Sequence, residues 1–149
     1  MSEKGVIPAI SIRQPWAELI LRGIKTIEIR NWSDLYRGDL YLHTGKMADR
    51  YKIFEYDMAD VFRGGYVGII ELAAILPFTS ENWNLWQKKH LSKGPFKRGY
   101  YAWIIRNPRM FESPFPGPGS LKLYKPDPAI AAELRCIKWS GLVNEHPKG

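Results

Sequence analysis

The sequence predicts an α+β fold: a mixed or antiparallel β-barrel of five or six strands with short helices at its periphery. Three observations carry this. Short β-branched and apolar runs recur along the chain, separated by brief stretches of helical spacing or by Gly/Pro turns. No self-similarity of fixed period is present, which argues against a solenoid or propeller. No linker long enough to divide the chain interrupts the pattern, and 149 residues suit one domain. The whole chain, 1–149, is expected to be that domain, with its core over about 6–125, a C-terminal helix over about 128–138 and a loose tail.

The elements follow in order. Val6 to Arg13 carries Val6, Ile7, Ile10 and Ile12 and reads as a first strand. Pro15 suits the first turn of a helix, where its missing N–H costs nothing. Trp16, Leu19 and Ile20 lie at i, i+3, i+4 spacing, and Gly23 supplies the positive φ that often ends a helix. From Lys25 to Arg30 the alternation is clean: Ile27 and Ile29 face one way, Thr26, Glu28 and Arg30 the other. A turn from Asp34 to Gly38 leads into a third strand, Asp39 to His43. Met47 to Phe62 has helical composition, closed by Arg63, Gly64 and Gly65.

Tyr66 to Leu76 is the longest apolar run and the best central strand; Gly68 inside it marks a bulge or a close backbone approach. Pro77 to Leu91 is a connection with a helical piece, capped by Thr79 or Ser80. Tyr100 to Arg106 is the next strand. Pro108 to Gly119, rich in Pro and Gly, reads as an irregular loop, and Leu121 to Tyr124 as a short last strand. Asp127 as N-cap and Pro128 at the first helical position open a helix running on from Ala129 to Lys138.

Composition narrows the function. No apolar run approaches the roughly 18 residues of a membrane span, and the N-terminus lacks a signal peptide's apolar core. The single cysteine, Cys136, forms no internal disulfide or cysteine-based zinc site, so a reducing cytoplasm is expected. The net charge of +7 is concentrated. Between Trp83 and Arg109 stand Lys88, Lys89, Lys93, Lys97, Arg98, Arg106 and Arg109, with no acid among them; the rest of the chain balances. Trp83, Trp86, Phe96, Tyr100, Tyr101 and Trp103 are interleaved with them. Cations neutralise phosphates and rings stack on bases, so this mixture suits single-stranded nucleic acid. The blander reading is a solvated lysine loop beside a strand whose aromatics are core.

Two polar clusters flank the first helix: Ser11-Ile12-Arg13-Gln14-Pro15-Trp16, and Gly23-x-Lys25-x-x-Glu28-x-Arg30-x-Trp32. So many charges beside chain that must be buried need partners or a ligand. Lys25 and Glu28 near a concave mouth suit either hydrogen bonding to a base or phosphate, or an acid–base pair with shifted pKa values. Against this, Glu28 and Arg30 make an ordinary ion pair, and Ser11 an ordinary capping hydroxyl. Arg13 beside a helix N-terminus favours an anion; Trp16 and Trp32 place an edge near the cleft. His43 has no second His or Cys at ligand spacing, so no metal is expected. Without a P-loop, a dinucleotide fingerprint, a nucleophile elbow or a zincin motif, no cofactor is expected either.

Taken together, SIRQPW and G-x-K-x-x-E-x-R-x-W resemble the ASCH family, named for homology to activating signal cointegrators. Further family-like pieces are Tyr36-Arg37-Gly38, Gly65-x-x-Gly68, Trp103 with Asn107-Pro108, and Gly119-x-Leu121, over about Ile10 to Tyr124. The resemblance implies a PUA-like β-barrel and binding of RNA or other nucleic acid. A nucleotide cleft would be formed by Ser11, Arg13, Gln14, Lys25, Glu28 and Arg30. Trp16, Trp32 or Trp103 would stack, and Lys88, Lys89, Lys93, Lys97 and Arg98 would track phosphates. A monomer is expected, with protein partners left open.

A few small ASCH members are enzymes. In the amidohydrolases acting on N4-acetylcytidine, a lysine, a threonine nucleophile and a glutamate do the chemistry. The lysine corresponds to Lys25. The threonine falls on Glu28; Thr26 lies two residues away, about 6.6 Å along a strand. For the glutamate, Glu71 and Glu81 stay open. A ribonuclease, described for other relatives, would take its base from Lys25, Tyr36 or His43. Lys25 and Glu28 are the catalytic candidates if the chain is an enzyme.

Overall fold

The computed structural model describes residues 6–141. In chain order the elements are β1 (Ala9–Ser11), α1 (Trp16–Leu21), β2 (Ile27–Arg30), β3 (Gly38–Thr44), α2 (Arg50–Glu55), β4 (Gly65–Pro77), α3 (Ser80–Leu85), α4 (Gln87–His90), β5 (Tyr101–Pro116), α5 (Pro128–Arg135) and β6 (Trp139–Gly141). The strands form one mixed sheet in the order β1-β3-β4-β5-β2, with β6 added on β5. Only β1–β3 is parallel; the other pairs are antiparallel. The sheet curls into a half-barrel accompanied by a few short helices. Among the described residues no helix is long and apolar enough to cross a membrane.

The concave side is filled by Ile10 and Ile12, Leu40 and Leu42, Ile70 and Leu72, and Trp103 and Ile105, and α1 closes it with Ala17, Ile20 and Leu21. Each such aliphatic side chain, fully buried, contributes about 1.5–3 kcal/mol. Leu21 packs so tightly on β4 that a Cβ on Gly68 would lie 2.7 Å from its Cδ2 and collide with the Arg109 carbonyl. The close approach expected at Gly68 is therefore real, and the β4–β5 register shifts beside it.

Four expectations are corrected. The helix from Met47 to Phe62 shrinks to six residues: Asp49 caps its start by accepting from the Lys52 N–H, and Asp57, at φ 56°, turns the chain away. The Pro/Gly-rich stretch after Arg106 is not a loop until Pro116. It continues β5, because Pro108 falls where the register shifts opposite Ile70 and Pro114 where it shifts opposite Val67, so neither must donate to the ladder. Leu121 to Tyr124 supplies one bridge, Ala9 to Tyr124, and the last strand among the described residues is β6, a little further on. Pro128 does begin α5, but Asp127 makes no side-chain cap and the helix ends at Arg135. The expected tail after Gly141 lies outside the described residues.

Candidate functional site

The turn that ends α1 sets the site. Gly23 takes φ 76°, and the Leu19 carbonyl accepts from both the Ile24 and Lys25 N–H groups. That fold-back points Lys25 inward as β2 begins. Thr26 is stitched on both sides, its N–H donating to the Lys89 carbonyl and its own carbonyl accepting from Ile105. The alternation of β2 then puts Glu28 and Arg30 on the cleft side while Ile27 enters the core.

Lys25 is 3% exposed and Glu28 7%. The ammonium donates to the His90 carbonyl at 2.7 Å, lies 3.6 Å from Glu28 Oε1 and stands 5.1 Å from the centre of the Trp16 ring. Glu28 Oε2 accepts from Arg30 Nη1 at 3.0 Å. One carboxylate thus serves two cations. Burial pushes the Lys25 pKa below its ordinary value; Glu28 opposes that, and the Arg30 charge adds to it. A lysine in this state is a fixed donor and, when deprotonated, a base.

Two cavities meet at these residues. The smaller, of about 290 Å³, is lined by Trp16, Lys25, Glu28, Asp49, Lys52, His90, Ser92 and Lys93, among others. The larger, of about 530 Å³, is lined by Ser11, Arg13, Arg30, Lys46 and Met47, and shares Trp16, Glu28 and Asp49 with the first. The smaller combines one ring face with a donor and an acceptor side by side. The larger is walled by three cations, Arg13, Arg30 and Lys46. Among the described residues no group of His, Cys, Asp and Glu is placed to hold a metal ion.

Of the residues singled out in the sequence, Ser11, Arg13, Trp16, Lys25, Glu28, Arg30 and Lys93 line this double cleft. Gln14, Trp103 and Trp32 do not belong there. Gln14 is buried: its amide donates to the Phe62 carbonyl and its oxygen accepts from the Glu18 N–H, so it staples α1. Trp103 is wholly buried and donates to the Trp32 carbonyl, so no base stacks on it. Trp32 stays half-buried beside a third, shallow depression with Arg30 and Tyr100. Tyr36 donates to the Asp39 carbonyl and lines neither cavity.

The basic segment divides. Lys88, Lys89, Lys97 and Arg98 are exposed. Lys93 pairs with Glu55 at 2.9 Å and Arg106 with Glu71 at 3.0 Å, while Arg109 is buried in a two-pronged pair with Asp39 at 2.7 and 3.2 Å. Trp83, Phe78 and Ala102 form a buried cluster with Phe96 and Tyr100 against it, so most of the segment's aromatics are core.

Asp49, Lys52, His90 and Ser92 went unnoticed in the sequence. They reach the cleft from two other chain segments, and neither segment carries a periodicity that marks an inward face. His43 has a separate setting: Ser11 Oγ lies 2.7 Å from its Nδ1 and the Gly117 carbonyl 2.9 Å from its Nε2. Burial lowers its pKa, with the Gly117 carbonyl opposing.

Against known proteins, the ASCH domain family model matches residues 10–115. Activating signal cointegrator 1 of Mus musculus and that of Homo sapiens are each 28% identical over 138 residues, which covers 81% of this chain and 22% of the relative. The chain thus spans about a fifth of the length of these curated relatives. The crystal structure of ASCH from Zymomonas mobilis superposes with a TM-score of 0.66 at 14% identity, over 92% of this chain and 98% of that one. A point mutant of the same protein gives 0.65 at 13%, over 89% and 99%. These likenesses show the PUA-like fold.

Proposed function

The chain belongs to the ASCH domain family, which is associated with RNA binding, and on that premise we propose that it is a monomeric, cytoplasmic RNA-binding module that seats one nucleotide in the double cleft. The base lies in the smaller cavity against Trp16, offering an acceptor to Lys25 and a donor to Glu28. Its phosphates lie in the larger cavity among Arg13, Arg30 and Lys46. The observation that carries this reading is the meeting of two cavities at Glu28: the smaller sets the Lys25–Glu28 donor–acceptor pair beside the Trp16 ring, with Lys52 and Lys93 also on its wall, and the larger is walled by Arg13, Arg30 and Lys46. Lys88, Lys89, Lys97 and Arg98 extend the positive surface for a longer strand. Lys93 and Arg109, held in ion pairs, are left out of that surface.

The test is calorimetric titration with the four ribonucleoside monophosphates and four homopentaribonucleotides at low salt. Binding should weaken about tenfold or more in Lys25→Met and in Arg13→Gln, since a hydrogen bond to a charged group is worth about 1.5–3 kcal/mol. Wild-type protein that binds none of them would remove the reading.

A small hydrolase is the second reading, favoured by the desolvated Lys25 within reach of Glu28. The threonine position of the amidohydrolases is Glu28 here, and Thr26 lines neither cavity. N4-acetylcytidine should therefore be deacetylated poorly or not at all. Robust turnover that is lost in Lys25→Ala would put this reading first.

A further inference from the structure

α2 and the chain just before it turn outward three large apolar side chains. Tyr51 is 86% exposed, Phe54 78%, and Met47, just before the helix, 74%. Tyr51 and Phe54 are three apart and share a face. The helix is anchored from its other side by Ile53, packed with Leu19 and Met58. A single exposed apolar residue needs no explanation, but three within eight residues form a patch of the kind that marks an interaction site.

The charge around that patch points to its occupant. Lys46 and Arg50 are exposed beside it. Of the nearby carboxylates, Glu55 is held by Lys52 and Lys93, each at 2.9 Å, Asp49 caps the helix by accepting from the Lys52 N–H, and Asp57 is exposed just past the helix end. Lys46 and Arg50 thus give the N-terminal side of the patch a cationic edge beside the two exposed rings. The patch is also continuous with the cleft, since Lys46, Met47 and Asp49 line the larger cavity and Asp49 and Lys52 the smaller. Six residues of helix span about 9 Å, a short step for a chain leaving the cleft.

We propose that Met47, Tyr51 and Phe54 form a stacking platform for unpaired bases of a single-stranded nucleic acid running out of the cleft, with Lys46 and Arg50 on its phosphates. This rests on the reading of the cleft as a nucleotide site. The strand must be single because a ring can reach a base face only where the base is unpaired and unstacked. An apolar protein segment would gain from the rings but would waste the two cations.

The experiment compares the wild type with Tyr51→Ala/Phe54→Ala, both substitutions lying on the exposed face, by titrating ribonucleoside monophosphates, homopentaribonucleotides and a ten-base-pair RNA duplex. Base–ring stacking is worth about 1–3 kcal/mol per base, so the double variant should bind pentamers at least about tenfold more weakly. It should bind monophosphates as the wild type does. Tyr51→Trp/Phe54→Trp should restore pentamer affinity, with tryptophan emission quenched on binding. Three results overturn the proposal while the cleft reading stands: equal pentamer affinity in wild type and double variant, duplex bound as tightly as pentamers, or a concentration-dependent dimer lost in the double variant, which would make a second copy the occupant. If the wild type binds neither monophosphate nor pentamer, both readings fall.

Discussion

Lys25 has left water for a carbonyl at 2.7 Å, a carboxylate at 3.6 Å that it shares with Arg30, and a ring face. A buried ion pair of this kind is weak support for stability, because desolvation offsets much of the attraction. Its position suits a site better than a clamp. The lowered pKa has a measurable consequence of definite sign. Between the lowered folded value and the ordinary lysine value near 10.5, the unfolded chain holds a proton that the folded protein has lost. Stability from this group therefore rises with pH through that window and is lost as pH falls through the folded pKa. Urea unfolding of the wild type and Lys25→Met at pH 7 and pH 10 should show the wild type gaining on the variant at the higher pH. A constant difference would mean that Lys25 titrates as an ordinary lysine.

The elements show what local pattern can and cannot reveal. β2, β3 and β4 were legible because β-branched alternation, a Tyr-Arg-Gly turn and a long apolar run each have one simple reading. The second half of β5 was hidden because its prolines read as loop, and only the partner strand shows that they sit at register shifts. β6 was missed because three residues carry no period. α2 was overdrawn because composition does not report where a left-handed Asp57 ends a helix. In the site, Lys25 and Glu28 share a motif and were readable together, whereas Asp49 and His90 meet them only through tertiary folding. Trp103 shows the reverse error: an aromatic in a basic segment is as often core as platform.

α1 is seated on β4 through the contact of Leu21 with Gly68. Gly68→Ala would drive a methyl into the Arg109 carbonyl, which is backbone and cannot swing away, and toward the Cδ2 of Leu21, which is wholly buried. The cost should be at least about 1–3 kcal/mol, the usual range for overpacking, read as a lower urea midpoint with unchanged slope. A variant as stable as the wild type would mean that α1 is not seated on β4 as described.

Over the whole molecule, the excess charge is less of a single stripe than the sequence suggested. Arg109 and Arg106 are tied to Asp39 and Glu71, and Lys93 to Glu55, which leaves Lys88, Lys89, Lys97 and Arg98 for phosphates. Affinity for single-stranded RNA should fall with salt by about 0.7 log units per log of salt for each phosphate neutralised. Lys88→Gln/Lys89→Gln should flatten that slope by about 1.4 if both lysines make contact, without lowering the melting temperature, since exposed lysines contribute little to folding. Lys25→Met should weaken binding with little change in slope. An unchanged slope in the lysine pair would make that surface a solvated face.

The central claim is that Trp16, Lys25 and Glu28 receive a nucleotide. Nuclear magnetic resonance titration of isotope-labelled protein with a homopentaribonucleotide at low salt tests it most directly, because it reports where the ligand sits as well as whether it binds. The account predicts that the Trp16 indole N–H and the backbone of 25–30 and 46–50 shift first and most, and that Lys25→Met abolishes those shifts while leaving weaker ones near Lys97 and Arg98. Shifts confined to Lys97, Arg98 and their neighbours, with the cleft silent, would contradict it.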